Sequence, residues 1–169
     1  MDEVARRARI SKASLYREHA SKSALYAAVV RNWALAGRDA MRPALEELKA
    51  NPDLREGLVA LGATMRTGIL SAPVVAMRRL VIAEAAAHPD VARDYLAQSW
   101  DANIRHLAEA LADLSEAHGL VIDDADALAS EFTWLVVGAP LNAGLLGVQA
   151  EVLPVTRAVD LFLAGYLRD

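Results

Sequence analysis

Residues 1–30 read MDEVARRARISKASLYREHASKSALYAAVV, and this stretch decides the fold. It divides into a short amphipathic helix, a tight turn at ARIS, a second short helix over SKASLYR, and ASK opening a longer helix. Ser11 and Ser21 stand where N-caps are needed, because a serine hydroxyl accepts from the free N–H groups of the next turn. This is the layout of a helix-turn-helix. One helix crosses the phosphate backbone, and the next lies in the major groove with its first residues near base edges.

The residue types suit that task. Ala13 and Ser14 are small and permit close approach, and Ser14 and Tyr16 can bond phosphates or bases. Lys12 and Arg17 supply charge, and arginine can grip guanine through two parallel bonds. Lys22 falls in the first turn of the next helix, where free N–H groups and the helix dipole already favour a phosphate. Val4, Ala5, Ile10, Leu15, Leu25 and Val29 are left to form a small core. Two unrelated surface helices with scattered bases are the plainer alternative.

Charge follows the same division. Residues 1–42 hold nine Lys and Arg against four acids, and the remainder holds nine against eighteen. A basic head on an acidic body is the charge layout of a protein that offers one end to a polyanion, although a solvated helix face would look alike. Apolar residues make up 54% of the 169-residue chain and aromatic ones only 5%. Alanine and leucine, both good helix formers, point to an all-α fold. The absence of cysteine excludes disulfides, thiolate catalysis and Cys-ligated zinc. The N-terminus lacks the apolar run of a secretory signal, and the apolar stretch Leu135 to Leu141 is too short to span a bilayer. A soluble, cytoplasmic protein without membrane contact is expected.

Punctuation along the rest predicts helices over 1–8, 11–18, 22–49, 52–71, 73–87, 89–118, 124–147 and 154–167. Pro52, Pro73, Pro89 and Pro154 fit first helical positions, and Asp123 fits a cap. The expected division is 1–42 for the helix-turn-helix module and 43–169 for a larger helical domain that binds ligand and dimerises.

The opening stretch resembles the DNA-binding region of TetR/AcrR-type regulators, whose pattern is approximately IA..AGVSKGTLYRHFPSKEALF..V. The matching positions are Val4-Ala5, Ala8, Ile10-Ser11-Lys12, Ser14-Leu15-Tyr16-Arg17, Ser21-Lys22, Ala24-Leu25-Tyr26 and Val29. By this resemblance Lys12, Ala13, Ser14, Tyr16 and Arg17 lie on the recognition helix, and Lys22 holds a phosphate. Three positions depart from the pattern. Arg9 replaces the turn glycine, which strains the turn if a positive φ is required. His19 replaces a buried phenylalanine. The family also carries a helix before this point, and the sequence begins after it. A start assigned too late and a real loss of that helix are both open, and the former is the expected one.

The body carries no motif for catalysis, cofactor or metal. Glu84 and His88 share a helical face and could share a metal, but a helix end at His88-Pro89 explains them more simply. Met65, Met77, Leu80, Trp100, Asn103, Ile104 and Leu107 are the candidate lining of a pocket for a small, mainly hydrophobic effector, with core packing as the alternative. In the seventh helix, Leu128, Phe132, Leu135, Ala139 and Leu146 form one apolar stripe, and Trp134, Val137, Leu141 and Leu145 form another. One stripe should face the core and the other a second copy. Ala139, Ala143 and Gly147 permit close approach, and Pro140 should kink the helix by removing the bond to the Val136 carbonyl. The candidate dimerisation residues are Leu128, Phe132, Leu135, Ala139, Ala143 and Leu146, joined by Val155, Val159 and Phe162 of the last helix.

The expected protein is therefore a homodimeric, ligand-responsive repressor that reads a palindromic operator in double-stranded DNA. The alternative is a helical small-molecule-binding or dimeric interaction protein that has lost DNA binding. An enzyme is not expected.

Overall fold

The computed structural model describes residues 1–148 and 152–167. In order its helices are α1 (Asp2–Ala8), α2 (Lys12–Glu18), α3 (Lys22–Ala40), α4 (Arg42–Ala50), α5 (Leu54–Ile69) and α6 (Ala72–Glu84). Then come α7 (Pro89–Tyr95), a π-helical stretch (Leu96–Asp101), α8 (Ala102–His118), α9 (Ala125–Leu146) and α10 (Val155–Tyr166). The described residues contain no strand, and a single antiparallel bridge joins Leu120 to Leu167. No single helix among them is long and apolar enough to cross a membrane.

Side-chain caps set several of the starts. Ser11 Oγ accepts from the Ser14 amide at 3.0 Å, Asp53 Oδ1 from Glu56 at 2.9 Å, and Asp124 Oδ1 from Ala127 at 3.0 Å. Asp124, not Asp123, thus caps α9. Pro52 lies ahead of the Asp53 cap and outside α5, and Pro154 occupies the cap position of α10.

Two expected helices are broken. The run 22–49 ends one helix at Ala40 and begins another at Arg42. Pro43, in the first turn of α4, has no amide for the carbonyl four residues back, and its ring disfavours a continuous helix through that point. The run 89–118 keeps its direction but widens into a π-turn at Leu96–Asp101. Side chains take part in the loosened ladder: Ser99 Oγ donates to the Tyr95 carbonyl at 2.7 Å, and Asn103 Nδ2 to the Ser99 carbonyl at 2.7 Å.

The main core lies between α4, α5, α8, α9 and α10, around Leu58, Leu111, Phe132 and Phe162. The Phe132 and Phe162 rings meet edge-to-face, 5.0 Å between centroids. Each fully buried leucine or phenylalanine contributes about 1.5–3 kcal/mol relative to exposure. Gly62 permits the closest approach of α5 to its neighbours, because a Cβ there would stand 2.6 Å from Val155 Cγ1. A second cluster of Val30, Ala34, Val81 and Tyr95 ties α3 to α6 and α7.

Two arginines bond the backbone of α9. Pro140 lies inside α9 and leaves the carbonyl of buried Val136 without its helical donor. Arg66 Nε of α5 supplies one at 2.8 Å, and its Nη1 reaches the Leu153 carbonyl at 2.5 Å. Arg79 of α6 donates to the Gly144 and Leu145 carbonyls at the C-terminus of α9. A cation there also meets the negative end of the helix dipole. The helix stops at Gly147, whose φ of 78° is one that glycine adopts without Cβ strain.

The stripes of α9 do not divide as expected. Leu128 and Phe132 are buried in the protomer's own core, as are Val159 and Phe162 of α10. They leave no surface for a second copy. Leu135, Ala139 and Leu146, from the same stripe, are exposed, and Ala143 and Val155 are half-buried. Of the other stripe, Val137 and Leu141 are buried and Trp134 is exposed.

Candidate functional site

The N-terminal module is organised by its caps and by one buried leucine. Leu15 pins α2 inward, and Lys12, Ala13, Tyr16 and Arg17 of the same helix are exposed. Ser14 is half-buried and centres a chain of bonds: its hydroxyl contacts Ser11 Oγ at 2.9 Å and accepts from Arg17 Nη2 at 3.1 Å. Arg17 is thereby folded back along its own helix. Lys22 is exposed in the first turn of α3, where Ser21 Oγ accepts from the Ala24 amide at 3.1 Å.

Charges in this module partly neutralise one another. Lys12 Nζ lies 2.7 Å from Asp2 Oδ1, which raises the lysine's pKa and lowers the carboxyl's. Arg6 and Arg7 share Glu3. These pairs are exposed and screened by solvent, so they hold their cations weakly and a polyanion can compete for them. Arg9 ends α1 at φ 58°, the conformation for which glycine is suited, and carries a strain of about 1–2 kcal/mol. The small core is thinly covered. Ala5 and Leu15 are buried and Leu25 half-buried, whereas Val4, Ile10 and Val29 are exposed.

Between α3 and the body lies a cavity of about 160 Å³. Trp33, Ala34 and Gly37 of α3 form one wall, Leu61 and Met65 of α5 another. Tyr95, Ser99, Trp100, Asn103, Ile104 and Leu107 supply the third, from α7, the π-turn and α8. The π-turn matters here because its side chains, Ser99 and Trp100, both line the cavity. Of the seven residues expected to line a pocket, Met65, Trp100, Asn103, Ile104 and Leu107 come together. Met77 instead packs against the α3–α6–α7 cluster, and Leu80 is exposed on α6.

Sequence reading missed Arg78, which enters this cavity from α6 with its guanidinium 4.6 Å above the Trp100 ring. The signal was a pair of arginines inside the otherwise apolar run APVVAMRRLVIAE. Adjacent helical residues point about 100° apart, so Arg79 reaches α9 while Arg78 faces inward. Glu84 and His88 stand 4.0 Å apart, with the His88 ring against Tyr26 at 5.1 Å. Among the described residues no group of His, Cys, Asp and Glu could hold a metal ion.

Residues 56–168 match the model of the AefR-like transcriptional repressor C-terminal domain, and residues 1–29 match the tetR family of bacterial regulatory proteins. No curated protein matches the chain in sequence. Two solved structures are similar over 99% of this chain and 86% of their own. One, described as a TetR-family transcriptional regulator of Mesorhizobium loti MAFF303099, superposes with a TM-score of 0.92 at 21% identity. The other, the flavonoid-responsive regulator FrrA, gives 0.71 at 26% identity. The family model over residues 56–168 covers more than half of the chain, and its agreement with the N-terminal match and the helical architecture leads to one assignment: the chain belongs to the TetR family of transcriptional regulators, a non-enzymatic family, with an AefR-like C-terminal domain.

Proposed function

We propose that the protein is a homodimeric repressor whose hold on a palindromic operator is set by a small, mainly apolar effector in the cavity. The observation that carries this reading is continuity. Helix α3 begins at Lys22 beside the exposed, capped α2 and ends in the cavity wall at Trp33, Ala34 and Gly37. Any occupant that displaces that wall therefore acts on the helix that carries the DNA-reading end. A two-fold dimer would set two α2 helices about 34–36 Å apart, one turn of the duplex. The effector regulates only if it binds one spacing better than the other.

In this reading residues 1–42 form the DNA-binding module and 43–169 the effector and dimerisation domain, at work in the cytoplasm. Lys12, Ala13, Ser14, Tyr16 and Arg17 face the groove, and Lys22 takes a phosphate. The exposed apolar residues Leu135, Ala139 and Leu146 of α9 are the dimer contacts left to the surface. FrrA responds, by its name, to flavonoids. An aromatic effector suits a cavity walled by Trp33, Tyr95 and Trp100.

The test is a genome-wide footprint followed by gel shifts on the recovered site. Lys22→Ala is expected to weaken binding to all sequences alike and to flatten the slope of log affinity against log salt by about one. Arg17→Ala is expected to cost about 1–3 kcal/mol and to relax specificity at one base pair. Wild-type binding by both variants would remove α2 and Lys22 from the interface.

A further inference from the structure

The cavity is mainly apolar, with Arg78, Ser99, Asn103 and Thr133 as polar members of its lining. The Arg78 guanidinium lies against Trp100, and its Nε is buried without an acceptor. No described carboxylate stands within ion-pair distance of it, and the titratable group that acts on it is the Tyr95 phenol. Burial holds that phenol up in its neutral form, so it offers no counter-charge. Arginine cannot shed its own charge by losing a proton at any physiological pH. The cation therefore remains partly desolvated and uncompensated, a costly arrangement that an anion would relieve.

A second unpaired polar atom belongs to the same cavity lining. Asn103 Nδ2 donates to the Ser99 carbonyl, which fixes the amide's orientation. Its Oδ1 is left buried with no donor. Arg78 lacks an acceptor and Asn103 lacks a donor, and both line the cavity that Trp100 also lines.

Resting on the reading of this cavity as the effector site, we propose that the effector is an amphipathic organic acid. Its carboxylate pairs with Arg78, its planar apolar body lies along Trp100, and a hydroxyl or N–H donates to Asn103 Oδ1. A neutral hydrocarbon would fill the same space and leave both polar groups unmatched.

The experiment uses the full chain and a matched pair of probes, 6-hydroxy-2-naphthoate and 6-hydroxy-2-naphthamide, titrated by calorimetry. The acid is expected to bind at least about tenfold tighter than the amide, and Arg78→Met to reduce that ratio to about one, as loss of a desolvated charge pair requires. Gly37→Leu is a control for the place of binding. Gly37 lines the cavity and a Cβ there meets nothing within 4 Å, so a leucine has room beside the cavity wall and should weaken both probes. Equal affinity for acid and amide in the wild type, with both weakened by Gly37→Leu, would leave the cavity reading standing and overturn the anion proposal. A preference for the acid that survives Arg78→Met would overturn it as well. Binding untouched by Gly37→Leu, or no binding of either probe, would sink the cavity reading and the proposal together. Melting temperature supplies an independent readout. Without probe, Arg78→Met should melt no lower than wild type, and the acid should raise the wild type's melting point but not the variant's. A marked loss of stability in probe-free Arg78→Met would mean that the cation is already compensated, and would overturn the proposal.

Discussion

Phe132→Ala is expected to lower the unfolding free energy by about 3–5 kcal/mol, the usual cost of emptying a well-packed aromatic site. Phe132 is fully buried, and its ring edge meets Phe162, which in turn touches Tyr166 at 5.3 Å. Truncation leaves a cavity that three helices must collapse to fill. Leu146→Asp is the informative contrast. Leu146 is 73% exposed on the same helix, so its loss should leave the folding of a protomer within about 0.5 kcal/mol of wild type. It should instead weaken self-association, because it sets a charge in the proposed dimer face. Urea unfolding at two protein concentrations separates the two effects, since a dimer's apparent stability rises with concentration. Sedimentation supplies the oligomeric state. An unaltered dimer in Leu146→Asp would move the interface away from the end of α9, and a loss under about 1 kcal/mol in Phe132→Ala would contradict the packing described.

That contrast also shows what a periodic pattern can and cannot convey. Leu128 and Leu146 are 18 residues apart, about five helical turns, and point the same way on a straight helix. One is 3% exposed and the other 73%. The pattern states the direction in which a side chain leaves the helix, but what waits there changes along the axis. Near Leu128 it is α8 and α10, and near Leu146 it is open surface. Assigning the whole stripe to a second copy therefore mixed core with surface. The caps at Ser11 and Ser21 were legible because the bonds they make are local. The strain at Arg9 was legible for the same reason, once a positive φ was required there. Five of seven pocket residues were legible from their place on the middle helices. The π-turn at Leu96–Asp101 was not, because nothing in LAQSWD distinguishes a widened turn from a regular one. Nor was the inward course of Arg78, since the sequence does not state which of two neighbouring arginines faces the cavity.

The proline inside α9 rests on a compensation that a double-mutant cycle can measure. Pro140 deprives the buried Val136 carbonyl of its helical donor, and Arg66 replaces that donor from another helix. Arg66→Met is therefore expected to cost about 1–3 kcal/mol, the penalty of a buried acceptor left unpaired. In a Pro140→Ala background an amide returns four residues beyond Val136 and can take that carbonyl. There the same Arg66→Met replacement should cost at least about 1 kcal/mol less. Arg66 also bonds the Leu153 carbonyl ahead of α10, but that loss is common to both backgrounds and cancels in the cycle. Equal costs in the two backgrounds, measured by urea unfolding of the four proteins, would dissolve the coupling. Its consequence reaches beyond stability. Arg66 follows Met65, which lines the cavity. A shift of α5 under a bound effector would thus pull on α9 at Val136, and α9 carries the exposed residues proposed for the dimer. In the proposed dimer the spacing of two DNA-reading ends would then depend on one joint, where a missing amide ties α5 to α9.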